Sequence, residues 1–183
     1  MNPLIIIAIV VGGILLYIWF LYNTLISTKL RVSEAFSHID VQLKRRASLI
    51  PNLIETVKGY AKHEKDLLEK ITQLRSEIVS NKGVEDKAKA NNMLSDALKS
   101  LFAVAENYPQ LRASENFKEL QGELSDTENK IAYARQFYNS QVLDYNTKLA
   151  IFPNVFIARI LNLAPAEFFA ASEEEKKEVK VSF

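Results

Sequence analysis

The chain has 183 residues with 23 basic and 22 acidic side chains, a formal net charge of +1. A balance this even argues against a dedicated nucleic-acid binder, whose domain would be strongly basic, so no nucleic acid is expected as a partner. The lack of cysteine excludes disulfides, thiolate metal sites, a cysteine nucleophile and a lipid-modified N-terminal cysteine.

Leu4 to Tyr22, LIIIAIVVGGILLYIWFLY, carries no charge over nineteen positions. At roughly 1.5 Å per residue it reaches about 29 Å, close to the hydrocarbon thickness of a bilayer. A secretory signal peptide fits poorly, because no basic region precedes the run and no small-x-small cleavage site follows it. The run closes instead on Tyr17, Trp19, Phe20 and Tyr22, aromatics suited to a headgroup interface. Residues 1–22 are therefore expected to be an uncleaved single-pass anchor, with Trp19 and Tyr22 membrane-proximal and lipid as its partner. Lys29 and Arg31 follow the span closely, and no Lys or Arg precedes it. The positive-inside bias then places the N-terminus outside and the remaining chain in the cytoplasm.

Beyond the anchor, glycine is scarce, the tight-turn dipeptides NG and DG are missing, and no run alternates with period two. The fold class expected is all-α: a transmembrane helix continuing into a long antiparallel four-helix, coiled-coil-like bundle over 23–171. Helix 23–61 carries a seam in alternating steps of four and three: Val32, Phe36, Ile39, Leu43, Arg46, Ile50, Leu53, Val57 and Tyr60. Pro51 interrupts neither the phase nor the apolar pattern, so it is expected to kink this helix and free the carbonyl of Ala47 for water or a side chain. Helix 63–80 repeats the pattern with Leu67, Ile71, Leu74 and Ile78, and Gly83 is expected as its left-handed C-cap. Helix 84–107 uses Leu94, Leu98, Leu101, Ala105 and Tyr108. A loop, YPQLRASEN, then leads to helix 114–152, capped by Ser114 or Asn116. Short connections imply antiparallel neighbours, and two helices of about 39 residues, roughly 58 Å each, return the chain to the bilayer at Phe152, beside Asn23.

The segment 154–170 therefore begins at the membrane edge, with Phe156 membrane-proximal. Two readings stay open: it folds back to cap the base of the bundle, or it lies as an interfacial helix against lipid. Residues 172–183, SEEEKKEVKVSF, read as a charged, flexible tail.

Chemistry-bearing patterns are sparse. There is no G-x-S-x-G, no Gly-rich phosphate loop, no dinucleotide fingerprint and no kinase motif. His38 and His63 read as surface residues, and neither a metal nor a cofactor is expected. Arg46 is the exception on the seam. Facing other helices, it must be paired, because an unpaired buried charge is costly. Thr127 or Glu128 falls in the gap between Leu124 and Ile131 of the last long helix, and antiparallel pairing brings Glu128 level with about residue 47. An Arg46–Glu128 pair that sets helix register is expected. Lys44 and Arg45 lie off the seam, roughly 33 Å above the membrane edge, too far for lipid headgroups.

The strings IDVQLKRRASLIPNLIETVKGYAKHE, AVAENYPQLRASENFKELQGELSDTENKIAYARQFYN and YNTKLAIFPN, in this order behind the anchor, resemble the LemA family of bacterial membrane proteins. The resemblance implies a single-pass anchored helical bundle in the bacterial inner membrane with no established enzymatic activity and no catalytic residues to carry over. One related member acts in magnetosome membrane formation, and others occur near membrane metalloproteases. The function expected is a non-enzymatic scaffold or adaptor that organises partners or copies of itself, a homo-oligomer for which Ala8 and Gly12 offer a small-xxx-small contact. The alternative is an accessory subunit that regulates a membrane protease or another membrane enzyme.

Overall fold

Pro3 to Lys58 form one uninterrupted helix, α1, in the computed structural model, which describes residues 3–61, 63–81 and 83–170. Five further helices follow: α2 (Lys65–Ser80), α3 (Val84–Ala105), α4 (Pro109–Ala113), α5 (Glu115–Ala150) and α6 (Asn154–Ile160). No strand occurs among the described residues. The molecule is an all-helical bundle with a long apolar helix at its N-terminus. Roughly the first five turns of α1 are exposed and strongly apolar, making it the one described helix long and apolar enough to cross a membrane. Burial begins abruptly at Leu21 and then recurs at Leu25, Thr28, Val32, Ala35, Ile39 and Leu43. The span and the bundle seam are thus two stretches of one rod.

The seam is largely as its periodicity predicts. Val32, Ile39, Leu43, Arg46, Ile50, Leu53 and Val57 are buried, Phe36 is half-buried, and Ala35, Ala47 and Ile54 widen the stripe. Tyr60 lies beyond the end of α1 and is exposed. Against this stripe packs α5, the most extensive helix pair in the fold, through Leu124, Thr127, Ile131, Tyr138, Val142, Tyr145 and Leu149. Phe36 meets Tyr138 with ring centroids 5.7 Å apart, and Arg46 meets Glu128. Ten residues up α1 therefore match ten residues down α5, the signature of an antiparallel pair with a single register.

The α2–α3 hairpin covers only the half of this pair distal to the apolar span. Its inward residues are Leu68, Ile71, Leu74 and Ile78 on α2, and Leu94, Leu98, Leu101 and Ala105 on α3. Leu68 replaces Leu67, which is only half-buried, because the stripe enters α2 one position later than expected.

Two local expectations are corrected, and a third holds in position only. Gly83 is not a left-handed C-cap. Its φ of −75° and ψ of 149° are extended, and it is the N-cap of α3. With α3 beginning at the next residue, the chain needs a helix start there, and glycine ranks beside threonine among the residues that serve as N-caps. The stretch YPQLRASEN is not wholly loop: Pro109 opens α4 at its first position, where a missing N–H costs nothing. Ser114 is the N-cap of α5, but its side chain makes no capping hydrogen bond.

Below the hairpin the α1–α5 pair is closed differently. α5 ends at Ala150, Ile151 and Phe152 turn the chain, and α6 packs against both long helices with Asn154 and Ala158 inward. Asn162, at φ 51°, then stops α6. The amide of Leu163 donates to Ala158 O at 2.9 Å and that of Asn162 to Arg159 O at 3.2 Å, the two bonds of a Schellman motif with Asn162 at its left-handed position. Residues 163–170 run extended back up α5, burying Phe169 in the core. The expectation of 172–183 as a flexible tail lies outside the described residues.

Candidate functional site

The polar centre of the bundle is built around Arg46. Its side chain is 3% exposed, whereas that of Glu128 is 42% exposed, so the pair expected to be buried is buried on one side only. Nη1 of Arg46 lies 2.6 Å from Glu128 Oε2 and donates to Asn91 Oδ1 at 2.9 Å and Ser95 Oγ at 3.0 Å. The Ser95 hydroxyl in turn approaches both carboxylate oxygens of Glu128, at 3.1 and 3.2 Å. Helix α1 thus supplies the cation, α3 two neutral dipoles and α5 the counter-charge. Burial pushes the Arg46 guanidinium below its ordinary pKa, and the charge of Glu128 opposes that shift. Its Nε is buried without a hydrogen-bond partner among the described residues.

Glu128 is exposed because α3 and α5 meet through side chains rather than by close backbone approach. A cleft of about 460 Å³ opens between them, with Arg46 on its floor and Ser95, Leu98, Phe102, Leu124 and Glu128 on its walls. The chemistry this cleft offers is limited. Ser95 hydrogen-bonds a carboxylate that is already paired with a guanidinium, and among the described residues no histidine stands beside the hydroxyl to activate it. His38 lies elsewhere, edge-on to Phe137 at 6.5 Å. Among the described residues no three His, Asp or Glu side chains converge as metal ligands would.

One helical turn and a half nearer the membrane end, Asp40 takes Lys87 of α3 and, at 2.7 Å, Lys44 of its own helix. Burial alone would raise the Asp40 carboxyl, but hydrogen bonds and charge from Lys44 and Lys87 outweigh it and hold it below the usual carboxylate value. Lys87 is itself buried and stands over the Phe36 ring, 5.6 Å from its centroid. Lys44 and Arg45 are exposed, off the seam.

Pro51 lies inside α1, which continues to Lys58. The carbonyl of Ala47, whose intrahelical donor the proline ring removes, accepts the Nε–H of Arg75 from α2 at 2.9 Å. Trp19, Tyr22, Lys29, Arg31 and Phe156 are all exposed, and extending the α1–α5 register puts Tyr22 level with Phe152. The expected membrane-proximal residues therefore share one end of the bundle, remote from Arg46, Glu128 and Pro51.

A second constellation escapes the sequence reading. The extended segment 163–170 is held by two Tyr-Asn pairs seven residues apart on α5. Tyr145 donates to Ala164 O at 3.2 Å, and Asn146 clamps Ala166 twice, donating to its carbonyl at 3.0 Å and accepting its amide at 2.8 Å. Tyr138 donates to Glu167 O at 2.8 Å, and Asn139 clamps Phe169 in the same way, at 3.1 and 2.9 Å. The spacing has a simple cause: seven helical residues rise about 10.5 Å and three extended residues about 10 Å, so each Tyr-Asn pair meets the next three-residue unit. Asn92 of α3 donates to Ala170 O at 3.4 Å, tying the far end of the strap to the hairpin.

Comparison with known proteins places this architecture. The LemA family model matches residues 35–183. The protein LemA of Metamycoplasma hominis is 29% identical over 162 aligned residues, covering 87% of this chain and 74% of its own length. The magnetosome protein MamQ 2 of Paramagnetospirillum magneticum is 25% identical over 174 aligned residues, covering 81% of this chain. MamQ of Magnetospirillum gryphiswaldense is 24% identical over the same extent. The chain spans 64% of the length of these magnetosome relatives.

Proposed function

The chain belongs to the LemA family, and on that premise we propose that it is a non-enzymatic, membrane-anchored helical scaffold that organises partners or copies of itself at the bacterial inner membrane. One observation carries the reading. The apolar span and the bundle seam are a single 56-residue helix, so whatever binds the bundle is mechanically coupled to the bilayer. Neither the family name nor the relatives' names denote an enzyme, and the Arg46–Ser95–Glu128 centre fits a structural role better than a chemical one. Lys29 and Arg31, just beyond the span, favour the bundle in the cytoplasm and the N-terminus outside.

Purification of the full chain in mild detergent, followed by mass measurement and identification of co-purifying proteins, tests the proposal. A homo-oligomer without a stoichiometric enzyme supports the scaffold. A stoichiometric membrane protease supports instead an accessory role in controlling that enzyme, and a monomer with no partner contradicts both. Orientation is read separately: a cysteine introduced at exposed Val41 should resist a membrane-impermeant maleimide in intact cells, and labelling there would reverse the topology.

A further inference from the structure

The base of the bundle is built inside out. Helix α6 turns Asn154 and Ala158 towards α1 and α5, while Phe156 and Ile160 stand on the opposite face, with Phe152 just ahead of them. In water the amphipathic preference runs the other way, with large apolar side chains inward and the polar residue outward. Here the two phenylalanines pack on each other, ring centroids 6.0 Å apart and nearly perpendicular, and Phe152 and Ile160 remain 79% and 76% exposed. Ile151 extends the patch.

The position of this patch points to its partner. Phe36 faces Tyr138 and Arg46 faces Glu128, so the same antiparallel register brings Phe152 level with Tyr22, where the apolar span ends. Trp19, Phe20 and Tyr22 are exposed at that level on α1. Between Phe152 and Ala164, which Tyr145 holds, the chain climbs only the height of the last turn and a half of α5 and the turn after it, roughly 10 Å. The headgroup layer of one leaflet is about 5–8 Å deep, so α6 lies within or against it if α1 crosses the membrane. Exposed Arg159 beside the patch can reach lipid phosphates while its stem stays on the apolar face.

We infer that Phe152, Phe156 and Ile160 form a second lipid contact, which seats the base of the bundle in the headgroup region of the same leaflet from which α1 emerges. The inference rests on α1 spanning the bilayer. Two attachments, the span and α6, then fix the tilt of the rod, which a single helix crossing the interface would leave free.

The chain holds one tryptophan, Trp19, which reports the anchor directly. The full-length protein is reconstituted in phosphatidylcholine–phosphatidylglycerol vesicles with or without acyl chains brominated close to the headgroup. The probes are Phe156→Trp, Phe152→Trp and Val41→Trp, each in a Trp19→Phe background; all three sites are exposed and tolerate the exchange. Fluorescence of the Phe156→Trp and Phe152→Trp variants should be lost to the same degree as that of native Trp19, with little loss for Val41→Trp. Quenching of Trp19 without quenching at either phenylalanine site overturns the second contact and leaves the anchor. Equal quenching at Val41 overturns it too, since lipid contact would not be confined to the base. An unquenched Trp19 overturns the anchor and the inference together.

Discussion

The Nε–H of Arg75 donates to the carbonyl of Ala47 at 2.9 Å, replacing from α2 the hydrogen bond that Pro51 removes from α1. The proline is thereby turned into a docking point for the hairpin. Arg75→Ala is expected to lower unfolding free energy by about 1.5–3 kcal/mol, the worth of a hydrogen bond with a charged donor. In a Pro51→Ala background the same change should cost clearly less, because residue 51 can then donate to Ala47 itself. Chemical denaturation of the four proteins checks this; equal costs in the two backgrounds would show that Arg75 acts independently of the proline.

Arg46 and Glu128 set a second coupling between helices. Glu128→Ala leaves a nearly fully buried guanidinium without its counter-charge and should destabilise by about 1–3 kcal/mol. Arg46→Met combined with Glu128→Gln should recover most of that loss, because apolar replacement of the cation removes the need for compensation. If the recovery is absent from the double variant, Glu128 is stabilising the bundle in some way other than through Arg46.

Asp40 gives the bundle an acid sensitivity whose sign is fixed. Its folded pKa lies below the unfolded-chain value, so its contribution is fully present above about 3.9 and is lost as pH falls through the folded value. Asp40→Asn should therefore lower stability at neutral pH and flatten its decline below about pH 4. Denaturation midpoints between neutral and acid pH measure this; an unchanged slope in the variant assigns the acid lability to other carboxylates.

The Tyr-Asn pairs predict a local effect rather than a global one. Asn146→Ala and Asn139→Ala each strip a backbone donor and acceptor of the strap of their partner, worth about 1–3 kcal/mol to the strap's attachment. Amide exchange at Ala166 and Phe169 should accelerate, while amides at Ile39, Leu43 and Ile50, deep in α1, keep their protection. Uniform acceleration across both sets would mean that the strap is part of the bundle's single cooperative unit.

The long-range features were legible where side chains carried them. Seam steps of four and three on α1, together with helix lengths, were enough to bring Glu128 within a residue of Arg46. Pro51 announced a free carbonyl, although not its donor, since nothing along α2 marks Arg75 among its other polar residues. The strap was illegible for a physical reason. It is held mainly through its backbone, so its own residues show no pattern, and Tyr138 and Tyr145 fit the buried face of α5 without any need of a further partner. The overlooked signal was the asparagine beside each tyrosine, repeated at heptad spacing. Gly83 and Pro109 differ from these: one reads as a helix end and the other as loop, although a helix starts at each.

The central claim is that the bundle stands upright on the bilayer, on a helix continuous with its anchor. Because the chain lacks cysteine, single dyes can be placed at Ile160→Cys, at the base, and at Tyr60→Cys, beyond the far end of α1. With an acceptor dye on lipid headgroups, energy transfer should be strong from position 160 and weak from position 60, which α1 lifts roughly 55 Å above Tyr22. Transfer of equal strength from both positions would mean that the bundle lies along the membrane, and would contradict the account.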